Sequence, residues 1–224
     1  MRAALRLFTP RSPAFTPTGV TGVLTHPHPR PTLLAVYNET LKVLSQLPSH
    51  SVYRKSAENL TKHRLAIVEA AKPPGFDEYA SHYGDKPVPI EDVGLWMKEA
   101  LWHFLKNTPD AGHKLWIEHQ IRRWDPIPMP EGLEQKVPKA EATKPEDLEY
   151  NVVLEPDMTA EQVTDVENKI QDGLIEDIIE SGWNELVCAK TMLKEKVWEP
   201  LEVAPEKGQW EAFERTPKAV TAQD

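Results

Sequence analysis

PTLLAVYNETLKVLSQLPSHSVYRKSAENLTKHRLAIVEAA, residues 31–71, predicts two helices joined by a short turn. Apolar residues of the first helix recur at spacings of three and four, the pattern of an amphipathic helix. Pro48 ends that helix. The second helix covers about 51–71, and its centre near Asn59 and Thr61 is weak enough to break. Because the turn is only a few residues long, the two helices should pack antiparallel as a helical hairpin. The apolar stripe of the first helix comprises Leu33, Val36, Tyr37, Leu41, Leu44 and Leu47.

A second strongly helical region covers residues 159–197. Thr159 and Gln162 form a Thr-x-x-Gln capping box, which marks a helix N-terminus. We expect a kink or a tight break at Asp172-Gly173, because glycine costs about 1 kcal/mol in a helix interior. Its apolar positions are Val163, Val166, Ile170, Leu174, Ile178, Leu186, Ala189 and Leu193.

These two regions predict an all-α fold, because no useful length of strand-like alternation occurs. We expect a small three-helix bundle, in which the hairpin of residues 31–71 packs with a C-terminal segment, 159–201, broken near Gly173. An insertion of residues 72–158 separates the two, and a polar tail covers 202–224.

The insertion is rich in proline and tryptophan and is predicted to be mostly irregular. It holds 11 of the 21 prolines and four of the seven tryptophans of the chain. Two short helices are predicted within it, at about 90–105 and about 111–123. Residues 125–156 are typical of an extended acidic tether with little core to bury.

The first 30 residues are predicted to be an extended mitochondrial targeting segment. No Asp or Glu occurs before Glu39, whereas Arg2, Arg6 and Arg11 alternate with Ser, Thr and apolar residues. An arginine-bearing, hydroxyl-rich and acid-free start is typical of a transit peptide. The alternative is an N-terminus that is merely proline-rich and disordered.

Composition limits the class of protein. The formal net charge of −9 disfavours nucleic-acid binding, because phosphate backbones bind basic surfaces. A single cysteine excludes an intrachain disulfide and fits a reducing compartment. The mean hydropathy is −0.51 and no run of 18 apolar residues occurs, so we expect no transmembrane helix.

No motif for a cofactor or for catalysis is found. The scattered glycines form neither a P-loop nor a dinucleotide-binding fingerprint, and one cysteine cannot hold an iron–sulfur cluster. Cys188 is predicted to be a small buried apolar residue rather than a reactive thiol. We expect no metal site, because His113 and His119 are six residues apart and no zinc motif occurs.

One cluster of tryptophans and one cluster of carboxylates favour a role in protein–protein contacts over a catalytic role. The four insertion tryptophans could stack bases, but the acidic charge favours packing or anchoring on a partner protein. The densest carboxylate set lies in the last helix and is expected to form a solvated or partner-facing surface. The tryptophans are Trp96, Trp102, Trp116 and Trp124. The carboxylates are Glu176, Asp177, Glu180 and Glu185.

Two segments of the chain resemble one known family. The first, residues 33–69, contains Gln46-Leu47-Pro48, then Val52-Tyr53-Arg54-Lys55 and Arg64-Leu65-Ala66-Ile67-Val68. The second, residues 166–201, closes with Trp198-Glu199-Pro200-Leu201, and Trp210 follows. They resemble the alpha subcomplex subunit 5 family of NADH:ubiquinone oxidoreductase, respiratory complex I. Family members join the two segments by a short connection, so the insertion here resembles the enlarged fungal form.

The resemblance implies a non-catalytic accessory subunit of mitochondrial complex I that holds no cofactor. It places the subunit peripherally at the inner membrane, on the matrix side, in the hydrophilic arm beside the quinone module. It implies binding to other complex I subunits, including one of the iron–sulfur protein 3 type. The partner-binding residues that it implies are Tyr53, Arg54, Lys55, Trp198, Glu199, Pro200 and Trp210.

Two alternatives remain beside this hypothesis. One is an independent matrix enzyme whose site lies in the Trp- and His-rich insertion. The other is an adaptor that uses the helical bundle to bind partners outside complex I.

Overall fold

The computed structural model describes residues 13–20, 23–84, 86–107 and 155–200 together with Val203, with backbone alone at 98, 99 and 102–107. These residues form α-helices and no regular strand, which confirms the predicted all-α class. The described helices are α1 (Pro29–Leu44), α2 (Val52–Ala70), α3 (Phe76–Tyr83), α4 (Ile90–Asn107), α5 (Ala160–Ile170) and α6 (Ile175–Lys194).

Helix α1 lies at the centre of the fold and packs against α2, α4 and α6. Twelve of its 16 residues are buried, far more than the single stripe of an amphipathic surface helix. The predicted stripe is buried except for Leu41, which is half-buried. The simple three-helix bundle is not confirmed, because α4 also packs on α1 through Val93, Met97 and Leu101 around Ala35.

The core around α1 consists of two larger clusters. The first joins the N-terminal half of α1 to the end of α2, to α5 and to the start of α6. The second joins the C-terminal half of α1 to the start of α2 and to the rest of α6. Leu33, Leu44, Ile178 and Leu186 are completely buried in these clusters. Burial of such side chains contributes roughly 1.5–3 kcal/mol each, so these contacts dominate the stability of the body.

Helix α2 is continuous through Asn59 and Thr61, where its weak centre would have allowed a break. The Ser51 hydroxyl caps the helix by accepting the backbone N–H of Arg54. Thr61 is buried, at 4% exposure. Burial at this position outweighs the weak intrinsic helix propensity of the segment.

The break expected near Gly173 is present between α5 and α6. Gln171 and Gly173 both have positive φ, at 58° and 94°. The predicted capping box also forms, since Thr159 and Gln162 exchange side chain–backbone hydrogen bonds of 3.0 and 3.3 Å. The backbone N–H of Ile175 donates to Glu167 Oε1 at 2.8 Å, so a side chain of α5 caps the start of α6.

The described part of the insertion is more helical than expected. Helix α4 coincides with the helix predicted at about 90–105, whereas α3 was not predicted. The helix predicted at 111–123 and nearly all of the 125–156 tether lie outside the described residues. Where the chain is described again, Glu155 and Met158 are buried against the body.

The residues before α1 pack on the helices. The backbone N–H of Phe15 donates to the Thr25 carbonyl and the N–H of Thr25 donates to the Thr16 carbonyl, both at 2.9 Å. Phe15 packs beside Val93 and Met97 of α4. None of the helices in the described ranges is long and apolar enough to cross a membrane.

Candidate partner-binding surface

Tyr53 lies in the first turn of α2, half-buried against the second core cluster. Its hydroxyl donates to Glu185 Oε1 on α6 at 2.7 Å. Burial raises the pKa of Tyr53, and hydrogen bonds with Glu185 and Cys188 raise it further. The hydroxyl therefore stays protonated at neutral pH and keeps donating, which ties the start of α2 to α6.

Arg54 holds the loop between α1 and α2 together. Its guanidinium donates to the carbonyl oxygens of Ser45, at 3.2 Å, and Leu47. It also pairs with Glu58 at 2.8 Å, and this contact lowers the pKa of that carboxyl. Arg54 thus closes the end of α1 by satisfying carbonyls that lack a helical partner.

Lys55 differs from its two neighbours because its side chain is exposed. Only its backbone N–H, bonded to the Ser51 carbonyl at 3.2 Å, is held in the helix. Val52 beside it is 77% exposed, an unusual environment for a large aliphatic side chain. Lys55 and Val52 thus present a charged group and an apolar group at the start of α2.

The residues that follow α6 form the second half of the predicted set. Trp198 is half-buried and packs against the same core cluster as Tyr53. Glu199 and Pro200 are exposed, and Glu199 pairs loosely with Lys196 at 3.8 Å. Trp210 lies outside the described residues. The fold therefore brings Tyr53 and Trp198, one from each matched segment, to one core cluster, although they are 145 residues apart in sequence.

Cys188 and two carboxylates of α6 contact residues from other parts of the chain. Cys188 is half-buried rather than fully buried, and it lies beside the Tyr53 hydroxyl. Glu176 Oε1 accepts the backbone N–H of His26 at 2.9 Å, and Glu185 accepts from Tyr53. These two members of the predicted carboxylate surface therefore hold other parts of the chain.

The histidines near α1 also have structural roles. His28 Nδ1 lies 2.8 Å from Asp157 Oδ1, and its ring lies 4.1 Å from the Trp96 ring. In the described part of the chain, no group of three or more His, Cys, Asp or Glu side chains could hold a metal ion.

One buried ion pair was missed by the sequence patterns. Arg30 counts in the sequence as one more arginine of an acid-free N-terminus, but its guanidinium pairs with Glu155 in the interior. It also donates to the Val68 carbonyl at 3.2 Å and the Glu69 carbonyl at 3.3 Å. Arg30 thus links α1, α2 and the end of the insertion.

Residues 22–81 match the family model described as "ETC complex I subunit conserved region". The match contains α1 and α2 and most of α3. It also contains Tyr53, Arg54 and Lys55 of the predicted set.

Several curated relatives are complex I subunits. The NADH-ubiquinone oxidoreductase 29.9 kDa subunit, mitochondrial, of Neurospora crassa is 31% identical over an alignment of 278 positions that covers 96% of this chain and 99% of that protein. The NADH dehydrogenase (ubiquinone) 1 alpha subcomplex subunit MCI4 of Candida albicans is 56% identical over 55 residues, 24% of this chain and 40% of that one. The alpha subcomplex subunit 5 of Mus musculus is 36% identical over 53 residues, 24% of this chain and 46% of that one.

The alignment with the Neurospora crassa subunit covers 96% of this chain and therefore includes most of the insertion. The similarity to the other two proteins covers only a quarter of this chain. The chain therefore belongs to the alpha subcomplex subunit 5 family of mitochondrial NADH-ubiquinone oxidoreductase (complex I) subunits.

Proposed function

We propose that this chain is a non-catalytic accessory subunit in the hydrophilic arm of mitochondrial complex I, on the matrix side of the inner membrane. It supports assembly or stability of the arm near the quinone module, whereas electron transfer from NADH to ubiquinone belongs to other subunits. The observation that carries this proposal is the alignment with the Neurospora crassa 29.9 kDa mitochondrial subunit over nearly the whole of both chains.

The packing of the two family segments supports a docking role. Tyr53 and Trp198 lie half-buried on one core cluster, where each ring is held in place while part of it stays accessible. Tyr and Trp are enriched among residues that dominate binding energy, because they bury large rigid surfaces. We propose that these two rings anchor a neighbouring subunit of the iron–sulfur protein 3 type.

The remaining residues of the set have smaller roles in this proposal. Lys55, Glu199 and Pro200 are exposed and would form the polar rim of the contact. Arg54 holds the loop beneath them through its backbone carbonyl contacts. Trp210 of the tail completes the set.

The test is co-migration with complex I. Mitochondria that carry a tagged copy of the chain are solubilised gently and separated on native gels. The tag should migrate with NADH dehydrogenase activity, resist protease in intact mitoplasts and be released by alkaline carbonate. A purified, active complex I without this chain would show that the proposal is wrong.

Substitution of Lys55 tests the proposed surface. Lys55→Glu should reduce the fraction of the chain that co-migrates with complex I, because it reverses a charge that has no internal role. Lys169→Glu is the control, since Lys169 is exposed on α5, outside the proposed surface, and its exposed ion pair with Asp165 contributes little. If both variants are retained equally in complex I, Lys55 does not belong to the partner-binding surface. The assignment of the chain as a complex I subunit would be unaffected.

A further inference from the structure

A cleft of about 300 Å³ lies where α1, the end of α2, α3 and the segment before α4 meet. It is separate from the surface around Tyr53 and Trp198, because none of its lining residues belongs to that set. Arg30 and Glu155 line it from the interior, Phe76 and Tyr79 of α3 form one wall, and Val88 belongs to the segment before α4.

The interior of the cleft holds the buried ion pair of Arg30 and Glu155. The Arg30 guanidinium pairs with Glu155 and lies 4.7 Å from the centre of the Phe76 ring. A cation over an aromatic face is attracted by the negative charge density of the ring. These contacts hold the aromatic wall in place without a ligand.

The cleft is also lined by two exposed lysines, Lys72 and Lys86, and by one exposed carboxylate, Glu69. Lys72 Nζ lies 5.0 Å from the centre of the Phe76 ring, and Lys86 lines the cleft beside Pro87. Both side chains are exposed, and neither forms an ion pair among the described residues. Lys42, Lys62 and Lys169 each pair with a carboxylate three or four residues away. Two lysines without an ion-pair partner in the described ranges therefore lie beside one cleft.

The aromatic wall continues out of the cleft toward solvent. Phe76 is buried and Tyr79 is half-buried, whereas Tyr83 is 61% exposed. The ring centres of Phe76 and Tyr79 are 6.0 Å apart, and those of Tyr79 and Tyr83 are 5.4 Å apart. The wall thus offers aromatic surface next to two positive charges, a combination that fits a ligand with both carboxylates and apolar groups.

We propose that this cleft binds an extended acidic segment of a neighbouring complex I subunit. Carboxylates of that segment pair with Lys72 and Lys86, and an apolar side chain packs on Tyr79 and Tyr83. The volume is enough for one or two side chains, which suits a peptide better than a whole folded surface. The inference rests on the proposed function, because it takes the partner from the same complex.

The wall of the cleft on the α4 side lies outside the residues that the family model matches. Lys72, Phe76 and Tyr79 lie within the family match at residues 22–81, whereas Lys86 and Val88 lie beyond it. The alignments to the Candida albicans and mouse subunits cover only 55 and 53 residues of this chain. Part of the proposed contact therefore lies beyond the residues that the family model matches.

Zero-length cross-linking of intact complex I tests the proposal. A carbodiimide joins a lysine only to a carboxylate that touches it, and mass spectrometry then identifies both peptides. Lys72 and Lys86 should be joined to Asp or Glu of another subunit. Lys62, whose partner Glu58 lies 3.4 Å away, should be joined within this chain and serves as the internal control.

Two cross-linking results would overturn the inference. One is the absence of any product at Lys72 and Lys86 while the Lys62 product forms. The other is joining of these lysines to the acidic residues of 125–154 in this same chain, which would make the insertion itself the occupant. Absence of the wild-type chain from complex I would instead overturn the proposed function.

A charge-reversal variant gives an independent measurement. Lys72→Glu/Lys86→Glu should weaken retention in complex I by roughly tenfold in a salt-dependent way, equivalent to about 1.4 kcal/mol. Lys169→Glu should be retained as the wild type is. Circular dichroism should show unchanged helix content, because both lysines are exposed. Wild-type retention of the correctly folded double variant would contradict the proposal.

Discussion

The ion pair between Arg30 and Glu155 joins the start of α1 to the point where the chain returns from its insertion. Both side chains are almost fully buried, at 4% and 7% exposure. Removing two charges from water is costly, and attraction between them offsets that cost only with good geometry and additional hydrogen bonds. The Val68 and Glu69 carbonyls supply those bonds. The pair therefore specifies where residue 155 must sit.

Glu155→Leu should lower the free energy of unfolding by about 3–5 kcal/mol, because it leaves the Arg30 charge buried without its partner. Urea denaturation followed by circular dichroism measures the loss. The double variant Arg30→Met/Glu155→Leu should recover most of it, since no buried charge remains.

The exposed pair between Lys169 and Asp165 provides the control for this substitution. Both side chains are 56% exposed, so Lys169→Ala should cost no more than about 1 kcal/mol. If Glu155→Leu and Lys169→Ala lower the free energy of unfolding equally, the buried ion pair does not stabilise the fold more than the exposed one.

At the residue scale, the sequence predicts interactions between near neighbours and misses those between distant residues. The capping box of Thr159 and Gln162 was predicted because the partners are three residues apart, a spacing set by helix geometry. Glu155 is 125 residues from Arg30, and no local pattern relates the two. Tyr53 and Trp198 of the predicted partner-binding set were named by resemblance alone, and their packing on one core cluster depends on tertiary structure.

Helices α1 and α6 approach closely at Gly182, which is buried within α6. A Cβ atom there would lie 3.1 Å from Tyr37 Cε1 and 3.5 Å from Val36 Cγ1. Glycine lowers helix stability by about 1 kcal/mol relative to alanine, so its presence mid-helix requires a compensating gain. The close contact of α6 with the central helix supplies that gain.

Gly182→Val should reduce the free energy of unfolding by about 1–3 kcal/mol, because the added atoms force α6 away from Tyr37 and Val36. The shift in the urea midpoint measures it. Ser56→Val adds a similar side chain on the exposed face of α2 and should change stability by less than about 0.5 kcal/mol. If the two variants unfold at the same urea concentration, close packing at Gly182 does not constrain the helices.

At the element scale, apolar periodicity predicted α1, α2 and the C-terminal helices, and a helix was also predicted at α4, whereas α3 was missed. Helix α3 has only eight residues and buries only Phe76, so it has no stripe that a periodicity search could detect. Gly75 and Gly84, with φ of 83° and 88°, lie at its two ends. The packing of α4 on the central helix was likewise not predicted from the sequence. Its contact residue on α1, Ala35, is small and does not belong to the apolar stripe predicted for that helix.

At the scale of the whole molecule, part of the segment predicted to be a targeting sequence, residues 1–30, packs against the helices. The folded part of the chain includes residues from Pro13 onward. The Thr25 hydroxyl donates to the Pro13 carbonyl at 2.6 Å, and the backbone N–H of Thr16 donates to the Thr25 hydroxyl at 2.9 Å. Thr25 is buried, and His26 is tied to Glu176 on α6. Composition marks this segment as acid-free and proline-rich, but composition carries no information about these contacts.

The proposed removal of a targeting segment should therefore occur on the N-terminal side of Pro13. Cleavage after Thr25 would delete Phe15 from the cluster beneath α4 and the hydrogen bonds that join Phe15 and Thr16 to Thr25. Mass spectrometry of the chain in isolated complex I should find a mature N-terminal peptide that includes Phe15. A recombinant chain that begins at residue 13 should melt at the temperature of the mature protein, whereas one that begins at residue 26 should melt lower. A mature protein that begins after Thr25 would show that these contacts are dispensable in the assembled complex.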